Sequence, residues 1–550
     1  MKNRLKVFNT EGDMTIKSPQ EDTHIKGSQV TGENVTLEAK KNIAISAAEN
    51  SNTTKENTRS SGASIGASLG VGGLQGVSAS YGKASDHVKE NETAYEKSRV
   101  TANKDLIFSS VKNTTITGSE MAGGKVTGYV GGNLSIKTKQ DEKTYEEKNS
   151  STGLSVNYSM KNGKTSVSGG ISKDNIHSNY ESATDQAGIR AGGEGFDISV
   201  KDNTDLKGGV IDSAASKDKN TLTTGTLRWE DKENKADYKA GGIGVSYSPN
   251  NKSSKLNQRG LTPNLTPTVK DKTDSTTKSA VAEGTIHITN KEKQKQDIAS
   301  LNRDTKNSLN QLQEIFDKTK VEEKQELVGM LEKYGNQAIH TYAESKGRKD
   351  GSTEKMLLYG AFGALIGDMA GGSVPATALA GGATEYVMGY LTKGKGEDWV
   401  QEHPDTVQWI AAGVGTGLDS IADGASFGAD IAVNSVKWNL EFSEPIHEMS
   451  DKIWETLSEE DKEKLQKLIE SNSVTYGNTI LAKYTIRYYP QMVKEYPEIF
   501  EGVKDLGKLK SAYSIAGFIW FYCEKRYENK PDSIGYDTWL EHEIIGGQKD

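Results

Sequence analysis

Two short stretches near the C-terminus carry the residue types of acid–base chemistry. "PIHEMSDK" holds His447, Glu448, Asp451 and Lys452, and "DTWLEHEIIGG" holds Asp537, Glu541, His542 and Glu543. A histidine beside a carboxylate can serve as a general base near neutral pH or join a metal site. His447 with Glu448, and His542 with Glu543, are therefore the candidate catalytic residues. "HEIIGG" is not a zinc-protease signature, because Gly546 stands where the second histidine is needed. The plainer reading of both stretches is the solvated face of a charged helix. Cys523, the only cysteine, follows the apolar run in "SIAGFIWFYC" and reads as a buried structural thiol rather than a nucleophile. No catalytic signature emerges, no cofactor or metal is expected, and the sequence assigns no reaction.

The elements that would position these residues are helical. "SEEDKEKLQKLIESN" opens with Ser458 and Asp461 as a capping box and sets Leu465, Leu468 and Ile469 on one face. Nine tyrosines and three tryptophans (Trp454, Trp520, Trp539) in the last 110 or so residues suit a compact core. From residue 441 onward, 14 Lys plus Arg stand against 21 Asp plus Glu, a net of −7. The whole chain is also acidic, at −8. No nucleic-acid footprint is evident from charge, although a local basic patch would suffice for a nuclease. The run Ile515–Cys523, flanked by Lys508, Lys510, Lys525 and Arg526, is too short to span a bilayer, so a core helix is its default and membrane entry the rival.

Upstream, the chain repeats itself. "DTHIKGS" (22–28), "NTTITGS" (113–119) and "NTDLKGG" (203–209) place Ile25, Ile116 and Leu206 at intervals of 91 and 90 residues. A fixed period in a polar chain of mean hydropathy −0.67 argues for stacked architecture. Short β-branched runs such as "NVTLEA", "KDLIFSS" and "FDISV" read as rungs, and "GLSVNYSMKNGKTSVSGGIS", alternating about Asn162-Gly163, reads as a hairpin. "GGIGVSYS" (241–248) looks like half of a third hairpin. The expected fold is mixed and multidomain: a right-handed parallel β-helix, or β-solenoid, with projecting β-hairpins in the N-terminal half, and a mainly α-helical C-terminal half.

The expected divisions are a solenoid over 1–250, with units starting near 22, 113 and 203, then a polar linker over 251–281 containing Pro263 and Pro267. A helical segment over 282–350 follows, where Leu309, Leu312, Ile315 and Phe316 fall at helical spacing, then a Gly-rich helical region over 351–439 and a variable helical domain over 440–550. Gly363, Gly367 and Gly371, four apart, leave a helix face without side chains, an arrangement used between membrane helices and in soluble packing alike. The apolar run Met356–Gly367 is about 12 residues where a span needs roughly 20, which favours a tightly packed soluble hairpin over membrane entry.

Residues 282–328 bear a specific resemblance. Glu283-Gly284-Thr285, Gln296-Asp297-Ile298-Ala299 and Asn302-Arg303-Asp304-Thr305 resemble the segment preceding the toxin in contact-dependent growth inhibition proteins, the filamentous-haemagglutinin-like exoproteins of two-partner secretion. The 90-residue units resemble that family's haemagglutinin repeats, and the likeness covers roughly 20–440. It implies a β-helical stalk, secreted to the bacterial cell surface, whose C-terminal domain is delivered into a neighbouring cell. The implied partners are an outer-membrane two-partner-secretion transporter, a target-cell surface receptor and a cognate immunity protein. A signal peptide is not recognisable in "MKNRLKVFNTEGDMTIKSPQ", and the Val-Glu-Asn-Asn tetrapeptide that often closes the family's pretoxin region is missing. An adhesin fragment without enzymatic activity and a membrane-disrupting effector are the alternative readings.

Overall fold

The computed structural model describes residues 6–9, 11–70, 73–160, 163–250, 256–421, 427–439 and 458–460. His447, Glu448, His542 and Glu543, Cys523 and the run 515–523 lie outside the described residues.

Three short strands make one turn of a coil. β1 (Lys6–Asn9), β2 (Met14–Ser18) and β3 (Thr23–Lys26) form the first, and β4 (Ser28–Gly32), β5 (Val35–Ala39) and β6 (Ile43–Ser46) the second. The chain then leaves in a hairpin, β7 (Ala48–Gly70) and β8 (Gly73–Glu96), and returns to lay down β9 (Arg99–Ala102), β10 (Asp105–Ser110) and β11 (Thr114–Thr117). β12 (Glu120–Val130) and β13 (Leu134–Lys137) complete a fourth turn before the second hairpin, β14 (Asp141–Ser159) and β15 (Lys164–Ser182). β16 (Gly188–Lys207), β17 (Val210–Ser213) and β18 (Asn220–Glu230) make two further turns, and β19 (Lys232–Ser248) with β20 (Gly260–Thr277) is the third hairpin. β21 (Ala280–Val281) and β22 (Thr285–Ile288) begin a last turn.

All pairs between turns are parallel, and the register explains the repeat. Ile25 lies opposite Ile45, Ile45 opposite Ile116, Ile116 opposite Ile136, and Ile136 opposite Leu206. Each unit of about 90 residues is thus two coils plus one hairpin excursion, and the repeated phrase is every second rung. Inward residues stack like on like because neighbouring rungs present the same positions about 4.8 Å apart. The resulting core includes Leu37, Leu106, Phe108, Phe196, Ile198 and Leu222, all essentially buried. Gly128 gives up its side chain to the Phe108 ring, which occupies the space a Cβ would need. At one corner an amide ladder closes the turns. Asp22 accepts from the Asn42 N–H (2.9 Å), Asn42 from Asn113 (3.1 Å), Asn113 from Asn133 (2.8 Å) and Asn133 from Asn203 (3.1 Å). Each corner amide therefore satisfies a backbone donor of the following turn, and the unbroken ladder keeps the corner in register.

The hairpins pair with one another as well as projecting from the coil. They form a six-stranded antiparallel sheet in the order β20-β19-β15-β14-β8-β7. Two expected divisions are corrected. Within the expected linker 251–281, the described residues 256–281 are not a linker, since β20 among them pairs along β19 to complete the third hairpin. Pro263 and Pro267 disguise the strand, yet prolines are tolerated at a sheet edge, where the missing N–H costs no ladder bond. Residues 282–317 form no α-helix either, only a single 3-10 turn at Ile298–Ser300. The coil continues as far as a bridge between Ala280 and Asn302, and Leu312, Ile315 and Phe316 lie in extended chain across the hairpin sheet. The Leu312 N–H donates to Ser182 Oγ (2.9 Å) and its carbonyl accepts from Tyr180 Oη (3.1 Å). Helical spacing there reflects apolar groups meeting a flat sheet.

Helices begin at α1 (Lys318–Ser345) and continue as α2 (Thr353–Ala370), α3 (Val374–Lys395), α4 (Glu397–Glu402), α5 (Pro404–Ile421) and α6 (Phe427–Asn439). Val321, Val328, Ile366, Ala370, Ala380, Phe427 and Ile431 pack with Tyr238, Ala240 and Val269 of the third hairpin, so helices and sheet share a core. The helices also close the β20 edge. Gln325 Nε2 donates to Pro267 O (2.8 Å), Trp409 Nε1 donates to Leu261 O (2.8 Å), and the Thr268 N–H donates to Asp430 (3.0 Å).

Candidate functional site

The end of the coil is built by the residues that carry the family resemblance. Gln294 accepts from the Leu227 N–H (2.8 Å) and donates to the Leu227 carbonyl (2.8 Å), and Gln296 does the same for Trp229 (3.0 and 2.9 Å). Each primary amide imitates one residue of a neighbouring strand, so two side chains replace the missing rung. Arg303 donates to the Gly284 carbonyl (3.0 Å), Thr305 to Asp212 (2.5 Å), and Asn220 to the Glu283 carbonyl (2.8 Å). The motif is a terminator of the ladder. It has no catalytic geometry.

Gly363 and Gly367 lie on α2 where it crosses α3. A Cβ on Gly363 would run into the Thr377 carbonyl and one on Gly367 into the Thr377 side chain, while Gly381 offers the same closeness to the Tyr359 carbonyl. Gly371 plays a different part. It follows α2 as a left-handed C-cap (φ 78°), a conformation that favours glycine, and its N–H returns to Asp368 O (3.0 Å). Among the described residues no helix is long and apolar enough to cross a membrane, and no group of three or more His, Cys, Asp or Glu could hold a metal ion.

Two buried ionic clusters in the helical unit contain none of the candidate residues named from the sequence. Lys355 and Glu385, 1% and 2% exposed, lie 3.6 Å apart in the helical unit, with Asp350 against the ammonium and His340 Nδ1 3.5 Å from it. Burial pushes the Glu385 carboxyl up to about 7, Lys355 and the Gly351 N–H (2.9 Å) pull it back, and Asp350 adds to the rise. Glu332 is held well above the carboxylate range by burial and then by Asp430, opposed by Lys437 and by Asn434, which donates to it (2.6 Å). A single Glu within "GGATEYVMGYL" was the available signal, since a carboxylate on an apolar helix face must find partners. These clusters hold helices together, and none opens into a cleft.

The hairpin sheet provides the one extended surface with a clear chemical character among the described residues. Ala63, Tyr81, Leu154, Gly169, Tyr247 and Leu261 lie opposite one another across all six strands, hence on one face, and Ile65, Ala79, Val156 and Val167 extend it. This face is open: Ile65 is 89% exposed, Ile243 64%, Ile171 57% and Tyr81 52%. An apolar band crossing six strands, about 24 Å, is wider than soluble surfaces normally leave bare. Nearer the coil the same face bears a belt of exposed Lys55, Arg59, Lys83, Lys89, Lys148, Lys173 and Lys239 around Glu146 and Asp237, giving way at the roots to Glu49, Glu142 and Asp274, while the reverse face carries Glu56, Asp86, Glu147 and Asp174 beside Lys143. The sheet is thus polarised in hydropathy along its length and in charge across its thickness, which suits attachment to an anionic or apolar surface. The alternation of each hairpin was readable in sequence. That three of them would merge into one face was not.

Comparison with known proteins agrees with this architecture. Residues 6–152 match the haemagglutinin repeat family. The chain is 31% identical over 480 residues to a toxin CdiA of Escherichia coli, which covers 78% of this chain and 15% of that protein. It is 35% identical over 306 residues to a tRNA nuclease CdiA of Yersinia mollaretii, covering 55% of this chain and 10% of the relative. A 16S rRNA endonuclease CdiA of Enterobacter cloacae is 33% identical over 359 residues, 62% of this chain and 11% of the relative. The chain thus corresponds to a minor part, 15% or less, of the length of these relatives.

Proposed function

Because the chain is a CdiA-like, filamentous-haemagglutinin-like protein, we propose that it forms the distal stalk of a contact-dependent inhibition toxin and presents residues 440–550 as an effector to a neighbouring bacterium. The observation that carries this is the join between scaffold and helices. The coil ends on the Gln294 and Gln296 amides, the hairpin sheet ends on helices sealed against β20, and the sequence following that closed end is the part left to act. The working partners are a two-partner-secretion transporter, a receptor on the target cell and a cognate immunity protein, with the chain exported to the cell surface. The candidates His447, Glu448, His542 and Glu543 belong to this effector. The relatives named as nucleases give a first assay, RNA and DNA integrity.

Induced expression of residues 440–550 in the cytoplasm of a susceptible bacterium should arrest growth, and a small reading frame adjacent to the gene should restore it. Normal growth with a folded, soluble tail present would overturn the proposal. The open apolar and basic face of the hairpin sheet favours a second reading, an adhesin, in which attachment is the activity. Under that reading the chain binds cells and Ile65→Lys with Ile171→Lys abolishes binding, while tail expression is harmless.

A further inference from the structure

The three hairpins are joined by one rule: the second strand of a hairpin pairs with the first strand of the next. β8 pairs with β14, and β15 pairs with β19. β7 is a first strand of the same kind, since Gly62-Ala63-Ser64-Ile65 aligns with Gly153-Leu154-Ser155-Val156 and Gly242-Ile243-Gly244-Val245. Among the described residues it alone of the three has no second strand along its outer edge.

The direction of its hydrogen-bonding groups follows from one bond. The Met160 N–H donates to the Gln75 carbonyl (2.8 Å), and in an antiparallel ladder bonded pairs recur at every second residue. Val77, Ala79 and Tyr81 therefore spend their backbone groups on β14, which leaves Ser78 and Ser80 to bond β7 at Gly66 and Ser64. Ser61, Ala63, Ile65 and Ala67 must then point their N–H and C=O groups away from β8, into the open edge. The opposite edge of the sheet is blunted by Pro263 and Pro267 and covered by helices, whereas residues 48–70 contain no proline, and Ser61 to Ser68 are exposed. A long, flat edge left in this state is a template for another strand.

We propose that the β7 edge is an acceptor for the second strand of a further haemagglutinin-repeat hairpin, bound antiparallel and supplied by a repeat unit stacked against the first coil. The chemistry of the incoming strand is set by the faces of β7. Opposite Ala63 and Ile65 it must carry apolar residues to continue the open face, and opposite Ser64 and Gly66 it must carry Gly or Ser, the alternation of "GLQGVSASYG" in β8. The register that joins β8 to β14 sets a Tyr81-type residue opposite Ala63. Docking therefore lengthens the apolar band by one more strand. The inference is independent of any effector activity in residues 440–550.

The test uses the full chain and a fluorescent peptide of residues 73–96. Saturable binding should appear in anisotropy, and hydrogen exchange at Ser61, Ala63 and Ile65 should slow by about tenfold or more on binding. Ala63→Pro deletes an outward N–H only, so it should weaken binding by about tenfold or more while exchange at Ser78 and Ser80 stays protected. Ala67→Pro is the second variant should Ala63→Pro disturb the hairpin. The proposal is overturned if the peptide does not bind, if both proline variants bind it equally well, or if protection maps elsewhere. It is also overturned if the chain alone dimerises through residues 59–67 in sedimentation, which would make a second copy the occupant.

Discussion

Raising the pH should loosen the helical unit through Glu385. In the folded chain its carboxyl is raised to about 7, with burial the largest cause, against 4.5 for an ordinary glutamate. Between those values the folded state holds a proton that the unfolded state releases, so stability is full below the lower value and is lost as pH climbs through the higher one. Measured from the ordinary 4.5, the rise of about 2.5 at roughly 1.4 kcal/mol per pH unit amounts to about 3.5 kcal/mol. The groups facing Glu385 are Lys355, Asp350, His340 and the Gly351 N–H. Lys355 remains paired with Asp350 after Glu385→Gln, so the variant removes the titration without orphaning the ammonium. Glu332, raised by burial and by Asp430, acts in the same direction. Urea unfolding followed by fluorescence of Trp399, Trp409 and Trp438 at pH 5 and pH 8 gives the difference directly. The wild type should lose a few kcal/mol over that interval, Glu385→Gln most of that slope, and Glu332→Gln with Glu385→Gln nearly all. Stability that is flat or rises with pH in the wild type, or an unchanged slope in the double variant, would refute the reasoning.

Three other outcomes are expected. Gly367→Val should force α2 from Thr377 and destabilise the helical unit by about 1–3 kcal/mol, read as an earlier loss of helical circular dichroism in urea. Asn113→Ala should leave the Asn133 N–H without its corner acceptor and cost about 1 kcal/mol, with faster exchange at that amide. Gln294→Ala with Gln296→Ala should strip the coil end, so that exchange at Leu227 and Trp229 accelerates while Ile116 and Ile136 are unaffected.

Much of the scaffold could be read beforehand because stacked rungs write themselves into sequence as a period. Ile25, Ile116 and Leu206 were spaced by the coil, and Asn162-Gly163 marked a turn, where Gly163 adopts φ 65°. The errors lie where a tertiary surface imposed the conformation. Pro263 and Pro267 hid β20 because edge strands escape the rule against proline. Leu312, Ile315 and Phe316 met a sheet while their spacing imitated a helix. Gly371 shared the interval of Gly363 and Gly367 but serves a helix end. The pairing between hairpins had no local signal, since each is self-sufficient in sequence and their union depends on the coil bringing their roots side by side. The same holds for the Lys355–Glu385 pair, whose members are 30 residues apart and meet only when α2 and α3 fold back on each other.

The outward excursions also bear on the order in which the chain can assemble. Ile45 and Ile116 are adjacent rungs although 71 residues separate them, whereas Ile25 and Ile45 are 20 apart. Once β7 and β8 have zipped, Ala48 and Glu96 are neighbours and the effective gap falls to that of an ordinary turn, which lowers the closure entropy by roughly 1 kcal/mol. Hairpins form within microseconds from local contacts. The arms are therefore expected to zip first and the coil to wind across their joined roots.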